Sequence, residues 1–381
     1  MKERIIITLL ISFMATAFIG HIMRIDVLHQ VYEYSRQCVI LNESDSPKRI
    51  PKEYLKIVLP PSIDGWQFLS HYEVLVNGKE LNLRPQREEG NAIISIGMDT
   101  LYPAQILNIS VTFEVKVTVA YPFLPLRRRI AIGELHNTLD EIPEAMRREY
   151  CVPFGDWRWN EGRNWEELRK IVMQIKGRED DIWRLVLSVI SWVKEHVRYE
   201  ESPSVLSPLE TLKSGSGDCA DQAVLVATML RMIGVPAYVA LAAYYDPEVR
   251  ALTRGERIEV LEQGLVMHAF AMVYVPGHGW VPIDMTLRNA RRPEDHVSRA
   301  AIVTSDRLVV LMTVVSEDPN DYLIYSVPNG LKVIMRVSLR KLHDPLKGLM
   351  ILSGIFLASY MISSTVLILI SKHSGTRRTA S

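Results

Sequence analysis

The sequence predicts an α+β protein: a central helix against an antiparallel sheet, preceded by an N-terminal antiparallel β-sandwich domain and flanked by two transmembrane helices. Three observations predict this arrangement. Short β-rich runs separated by turn residues fill the first third of the chain. One apolar helix stands between strand patterns in the middle, and a long uncharged run lies near each end. At 381 residues the chain is long enough for two or three domains.

The two uncharged runs fit the thickness of a membrane. Ile5–Ile22 spans 18 residues without a formal charge and Leu349–Ile370 spans 22, and about 20 residues cross a hydrocarbon core of ~30 Å. We therefore predict a transmembrane helix over 346–371, followed by a basic cytoplasmic tail at 372–381. Residues 1–24 are interpreted either as an uncleaved transmembrane anchor, which we favour, or as a cleaved signal peptide.

The flanking charges predict the orientation. Both tails are short and basic, which places both termini in the cytoplasm. Two spans then leave residues 25 to about 345 outside the cell, as the main domain of a two-pass membrane protein. Asn42 and Asn108 each begin a triplet that matches a glycosylation acceptor, in keeping with an external domain. The net charge is zero, so we expect membrane lipid as a partner but no nucleic acid.

Residues 25–126 are predicted to form the β-sandwich domain. Strand-like runs there alternate with turn signals, and Val74–Leu81 predicts a hairpin with a two-residue turn at Asn77–Gly78. Prolines at 121–126 interrupt the strand pattern and mark a boundary. The core is taken as 127–300, and a C-terminal β segment is predicted over 301–345.

Within the core, the apolar spacing predicts a helix over 182–197 and a buried helix over 219–234. A strand follows over 235–243. Residues 247–263 are charged, and we predict a surface excursion there. A β-hairpin is predicted over 268–284. Three further strands are expected over 307–315, 322–327 and 331–337.

Cys219, His268 and Asp284 are the candidate catalytic residues. Cys219 begins the buried helix after a glycine-rich turn, His268 begins one strand of the hairpin and Asp284 ends the other. A thiol, an imidazole and a carboxylate are the components of an activated nucleophile. The helix start favours a thiolate, but the neighbouring Asp218 and Asp221 oppose it, so a histidine partner is required. The alternative is that Cys219 is a small buried thiol without reactivity.

The register of the hairpin decides whether His268 and Asp284 can meet. If Pro276–His278 forms a three-residue loop, the two residues lie diagonally on one face, with backbones ~7–8 Å apart. A two-residue turn would place them on opposite faces. We expect the three-residue loop.

Cys38 and Cys151 have two interpretations. In an external domain they form a disulfide; otherwise each is an isolated buried thiol. The sequence lacks the clustered histidine and cysteine spacings of metal sites and the dense carboxylates of a calcium loop. We therefore expect no metal and no other cofactor.

In order and spacing, these motifs resemble the transglutaminase-like superfamily, relatives of papain-type cysteine enzymes, in a membrane-anchored microbial or archaeal form. The resemblance covers about 182–286 and rests, besides His268, on four stretches: Pro208–Leu212, Gly217–Asp221, Leu230–Ala237 and Gly279–Thr286. It implies a papain-like core with Cys219 as nucleophile, His268 as base and Asp284 orienting the imidazole. Trp280, Tyr199 and Asp218 are implied as supporting residues; for Trp280 and Tyr199 we favour a packing role.

We therefore expect a membrane-anchored extracellular cysteine enzyme that acts on an amide through a thioester. Transfer to water makes it a protease or amidase, and transfer to an amine makes it an acyltransferase. We favour hydrolysis of a protein, peptide or cell-envelope amide. The alternative is a catalytically inactive surface module for binding or envelope organisation, in which residues 247–263 or the tryptophan-rich segment cover Cys219.

Overall fold

The computed structural model of the protein describes residues 2–22, 29–88, 90–118, 135–202, 204–287, 290–297, 307–322 and 327–376. The chain divides into two units. Residues 32–341 form the central unit, and the two chain ends, 1–31 and 342–381, form the other.

Sixteen strands are present in the described residues. They are β1 (His29–Asn42), β2 (Lys48–Arg49), β3 (Lys56–Leu59), β4 (Gln67–Val76), β5 (Lys79–Glu80), β6 (Gln86–Glu88), β7 (Asn91–Ser95), β8 (Thr100–Leu101), β9 (Ile106–Thr118), β10 (Arg198–Tyr199), β11 (Ser216–Gly217), β12 (Ala237–Arg254), β13 (Ile258–Val275), β14 (Gly279–Ile283), β15 (Leu308–Val314) and β16 (Leu331–His343).

Nine of these strands form one large sheet in the order β15–β12–β13–β16–β1–β9–β4–β5, with β14 also paired to β13. The β12–β13, β12–β15, β13–β14 and β4–β9 pairs are antiparallel, whereas β13 and β16 are parallel. β16 pairs with β13 only as far as Gln263, and β14 pairs with it only from Ala271 onward. Strand β13 therefore changes its neighbour between these two residues.

The N-terminal strands do not all lie in one sheet. β1, β4, β5 and β9 belong to the large sheet because β16 lies between β13 and β1. A second, three-stranded sheet of β3, β7 and β6 shares an apolar core with it, as Ile57 and Ile94 are buried in the same cluster as Val309 and Val333. The segments expected at 25–126, 127–300 and 301–345 are thus joined in one unit.

Two local predictions in the N-terminal part have different outcomes. The hairpin is present: Val76 pairs with Lys79, and Asn77 and Gly78 both have positive φ, as a two-residue turn requires. Asn42 is buried, and its side-chain amide donates to the C=O groups of Ser46 and Leu101. An amide in these bonds has no room for a glycan, so Asn42 does not support an external location.

The described residues form eight helices: α1 (Lys2–Ile22), α2 (Lys52–Leu55), α3 (Glu144–Tyr150), α4 (Glu166–Lys176), α5 (Ile182–His196), α6 (Pro208–Ser214), α7 (Cys219–Ile233) and α8 (Pro345–Thr376), besides short turns and a helical turn at 293–297. The predicted helices over 182–197 and 219–234 are present as α5 and α7. Val189, Val193 and nearly all of α7 are buried in one core, together with alternate residues of β12 and β13 such as Val239 and Ala271.

The predicted surface excursion at 247–263 is wrong. β12 and β13 continue through it as an antiparallel pair, with a bulge between Tyr245 and Arg250. Ile258 and Val260 pack against the core from one face, while Arg254 and Glu259 form a pair on the other, so a high charge content here is compatible with paired strands. The strand predicted over 322–327 lies largely outside the described residues.

The chain-end unit contains helices α1 and α8. In α1 the small polar residues Thr8 and Ser12 are buried, whereas Leu10 and Phe13 are more than half exposed. By length and composition the described residues contain one candidate membrane span, Lys347–Val366, and a shorter apolar helix, Ile5–Gly20. The structure therefore supports one of the two predicted spans by this measure.

Candidate active site

Cys219 is the first residue of α7, and its position is fixed by a reciprocal cap. The Asp218 carboxylate accepts hydrogen bonds from the N–H groups of Ala220 (2.8 Å) and Asp221 (3.1 Å), and the Asp221 carboxylate accepts from Asp218 N–H (2.9 Å). Asp218 thus caps the start of α7. At the first position of the helix, the N–H of Cys219 has no intrahelical acceptor.

Gly217 is required because Asp221 lies directly above it. An added Cβ at Gly217 would lie 2.6 Å from the Cβ of Asp221. Asp221 is fully buried, and its carboxylate also accepts from Leu206 N–H (2.7 Å) and Ser202 Oγ (2.9 Å). Its charge is therefore compensated by donors of the loop that precedes α6.

His268 and Asp284 meet through the three-residue loop. Val275 pairs with Gly279, and Ala271 pairs with Ile283. Asp284 follows one residue later, and its Oδ2 lies 3.0 Å from Nε2 of His268. Both side chains are largely buried, with exposed fractions of 17% and 4%.

The thiol of Cys219 lies close enough to the same imidazole to act on its charge. Burial alone lowers the pKa of His268, but hydrogen bonds to Asp284 and Cys219, together with their charges, outweigh it and raise the pKa to about 10. The ring is then protonated at neutral pH. Since Nε2 faces Asp284, Nδ1 is the ring nitrogen that remains for the thiol.

Asp284 is anchored by Thr286, which is not among the predicted site residues. Its second carboxylate oxygen, Oδ1, accepts from the N–H (3.0 Å) and Oγ1 (2.8 Å) of Thr286. Burial raises the pKa of Asp284, but the bonds to His268 and Thr286 outweigh it, so that the pKa is lowered and the carboxylate is ionised. An aspartate two residues before a threonine is a recognisable turn signal, so Thr286 could have been identified from the sequence.

The two aromatic residues implied as supporting the site have different environments. Trp280 packs edge-on against Tyr238 and Tyr150, with ring centroids 4.6 and 4.7 Å away, in agreement with a packing role. Tyr199 pairs with Gly217, two residues before Cys219, and is 56% exposed. The packing role favoured for Tyr199 therefore stays a prediction.

Cys219 packs against the helical core and is partly buried, so it is neither fully exposed nor fully covered. Trp157 and Trp159 pack against the helical core, and Trp165 is buried in it.

Cys38 and Cys151 are free thiols and do not form the disulfide considered above. Burial raises the pKa of each to about 11. Among the described residues, no cluster of histidine, cysteine, aspartate or glutamate is suited to bind a metal ion.

Comparison with known proteins identifies the core. Residues 169–285 match the Transglutaminase-like superfamily, and this stretch contains Cys219, His268 and Asp284. The chain therefore contains a transglutaminase-like core within a mixed α+β fold. No curated protein shows significant sequence similarity to the chain.

Solved structures resemble it at low identity. A candidate cysteine protease from Cytophaga hutchinsonii is 14% identical, with a TM-score of 0.50; the alignment covers 83% of this chain and 92% of that one. The periplasmic domain of TgpA from Pseudomonas aeruginosa is also 14% identical, covering 76% and 97% with a TM-score of 0.30. At this identity the first structure is similar in fold only, and the second is too dissimilar to support an inference.

Proposed function

We propose that the protein is a membrane-anchored cysteine enzyme that cleaves an amide bond through a thioester on Cys219. The observation that carries the proposal is one buried imidazole, His268, whose Nε2 lies 3.0 Å from the Asp284 carboxylate and whose pKa is raised by both Asp284 and the Cys219 thiol. A histidine held between a carboxylate and a partly exposed thiol has the geometry of a general base and acid for acyl transfer.

The proposed reaction has two halves. The Cys219 thiolate attacks the amide carbonyl carbon and forms a C–S bond; the C–N bond then breaks, and the amine leaves with the proton of His268. Water next attacks the thioester, His268 takes a proton from it, and the carboxylic acid is released as the thiolate returns. The unpaired N–H of Cys219 at the helix start is our candidate donor to the oxyanion.

We propose water as the acyl acceptor, and a protein, peptide or cell-envelope amide as the substrate. An amine acceptor would make the enzyme a cross-linking transferase. Incubation of the protein with a peptide mixture and a tagged primary amine separates the two. New free carboxyl termini or deamidated side chains are expected, whereas incorporation of the tag would contradict hydrolysis.

We further propose a two-pass protein with both termini in the cytoplasm and the central unit outside the cell. Support comes from the reversed burial in α1, with small polar residues inside and large apolar residues outside, which is typical of helices that pack in lipid. A Cβ added at Gly20 would lie 2.8 Å from Cδ2 of Leu352. The end of α1 therefore lies against the start of α8, which makes the two helices antiparallel.

Thiol labelling tests the proposed nucleophile. At neutral pH a chloroacetamide probe is expected to label Cys219 rapidly in the wild type and slowly in His268→Ala, because the variant lacks the cation that stabilises the thiolate. Cys38 and Cys151 are internal controls: burial raises the pKa of each to about 11, so both should react slowly in both proteins. Peptide mapping by mass spectrometry measures all three sites, and equally slow labelling of Cys219 in both proteins would refute the proposal.

A further inference from the structure

Asp284 lies where β14 leaves the sheet. The last pair between β13 and β14 joins Ala271 and Ile283, so the main chain of Asp284 is beyond that ladder. Its N–H donates instead to the C=O of His296 at 3.2 Å. The carboxylate that contacts His268 is therefore carried by a residue whose main chain is held from outside β13.

The imidazole of His296 provides the second half of this clamp. Its Nδ1 lies 2.8 Å from the C=O of Asp284, and the residue is only 2% exposed. A carbonyl oxygen only accepts, so Nδ1 carries the proton and donates. His296 thus binds both main-chain polar groups of Asp284.

The contact with Lys194 on α5 indicates the protonation state of the His296 ring. Its Nζ lies 3.3 Å from Nε2 of His296 and donates to the C=O of Ala290 at 2.7 Å. An ammonium group only donates, so Nε2 accepts and the ring is neutral. Burial lowers the pKa of His296, and the charge of Lys194 acts in the same direction, which agrees with a neutral ring.

We propose that His296, supported by Lys194, is a positioning residue for the Asp284 carboxylate. It replaces the missing strand partner at the end of β14, while Thr286 orients the carboxylate itself, so that Oδ2 of Asp284 remains on Nε2 of His268. The inference rests on the proposed function, because this alignment serves catalysis only if Cys219 and His268 react. His296 lies 12 residues beyond Asp284, and nothing in its local sequence indicates the contact.

Titration of His268 in His296 variants tests the proposal. In His296→Leu both ring contacts are lost, and the titration midpoint of His268, followed by NMR of ring-labelled histidine, is expected to fall by about one pH unit or more. In His296→Asn the side-chain amide nitrogen occupies the place of Nδ1 and can still donate to the Asp284 C=O, so most of the midpoint should be recovered. Lys194→Met, at an exposed position of α5, should give a smaller shift in the same direction and serves if His296→Leu does not fold.

His196→Leu is the matched control. It removes another histidine, at the exposed end of α5, whose ring stacks on Trp192 and whose Nδ1 lies 2.7 Å from the C=O of the same residue, and it should leave the midpoint unchanged. A wild-type midpoint of His268 in the His296 and Lys194 variants, with only a lower melting temperature, would show a merely structural role and overturn the inference. Slow labelling of Cys219 in the wild type, with an ordinary His268 midpoint, would instead overturn the proposed function and the inference with it.

Discussion

The charge state of His268 depends on a balance of two opposing effects at one buried ring. Burial removes water from the imidazolium and disfavours it. The carboxylate of Asp284 at 3.0 Å and the thiol of Cys219 favour it, and together they prevail. The ring is consequently protonated at neutral pH and has a proton available for a leaving amine, whereas a histidine with a pKa near 6.5 is mostly neutral there.

Asp284→Asn should reverse this balance. The neutral amide removes the attraction while burial remains, so the titration midpoint of His268 is expected to fall from about 10 to 6.5 or lower. Labelling of Cys219 at pH 7 should slow accordingly. An unchanged midpoint by NMR would mean that Asp284 does not control the ring.

The stability of the wild type relative to Asp284→Asn should also depend on pH. The folded pKa of His268 lies above its unfolded value, so its contribution is present below pH 6.5 and is lost as the pH rises through about 10. The folded pKa of Asp284 is lowered, so its contribution is present above about pH 4 and is lost in acid. The difference in free energy of unfolding between the two proteins, measured by denaturant titration, should therefore be largest between about pH 4 and pH 6.5. A difference that grows above pH 10 would contradict the pairing.

Two sets of hydrogen bonds fix the positions of the elements that carry the site. On one side, the cap at Asp218 fixes the first turn of α7. On the other, the loop after β13 is tied to the start of α5: Asn137 donates to the C=O of Pro276 at 3.1 Å and accepts from Trp183 Nε1 at 3.1 Å. Since a one-residue slip in the hairpin would turn Asp284 to the opposite face, this tether protects the contact with His268.

Variants at Asp218 separate the cap from its charge. Asp218→Ala should lower the free energy of unfolding by about 1 kcal/mol, because two N–H groups of the first turn lose their acceptor. Asp218→Asn retains a cap of similar quality and should cost much less. It also removes a negative charge beside the thiol, so Cys219 should be labelled at least as fast as in the wild type. Chemical denaturation and probe kinetics measure the two effects, and slower labelling in Asp218→Asn would assign the carboxylate a direct role in the site.

At the scale of the whole molecule, one sheet joins the N-terminal strands, the core and the C-terminal strand β16. Because β16 lies between β13 and β1, residues far apart in sequence are held in one layer beside the candidate site. The chain ends, by contrast, form a separate helical unit in which α1 buries Thr8 and Ser12 and exposes its apolar side chains.

Proteolysis of intact cells tests the proposed topology. A protease added outside should digest residues 32–341 while leaving tags on both chain termini attached to membrane-protected fragments. Permeabilised cells, in which the tags should also be lost, provide the control. Protection of the central unit in intact cells would show that it lies inside, and exposure of the N-terminal tag alone would exclude the antiparallel pair of spans.

The sequence by itself determined the local features. The helices at α5 and α7, the hairpin with its three-residue loop and the three candidate catalytic residues follow from periodicity, capping and turn residues, which act over a few positions along the chain. The prediction for residues 247–263 was wrong, because their high charge content is typical of a loop although they form two paired strands. The sequence also could not show that β16 joins the predicted segments in one sheet. Strand pairing between distant segments leaves no local pattern.

Only the tertiary structure decided how the site is completed. The thiol reaches His268 because α7 packs against β13, and His296 reaches Asp284 across a gap of 12 residues with Lys194 from α5 behind it. The raised pKa of His268 depends on Asp284 and Cys219, which come from two separate parts of the chain and together outweigh the opposing effect of burial. The pKa shift and the contacts behind it arise only once folding has excluded water from the site and brought the charged groups within hydrogen-bonding distance.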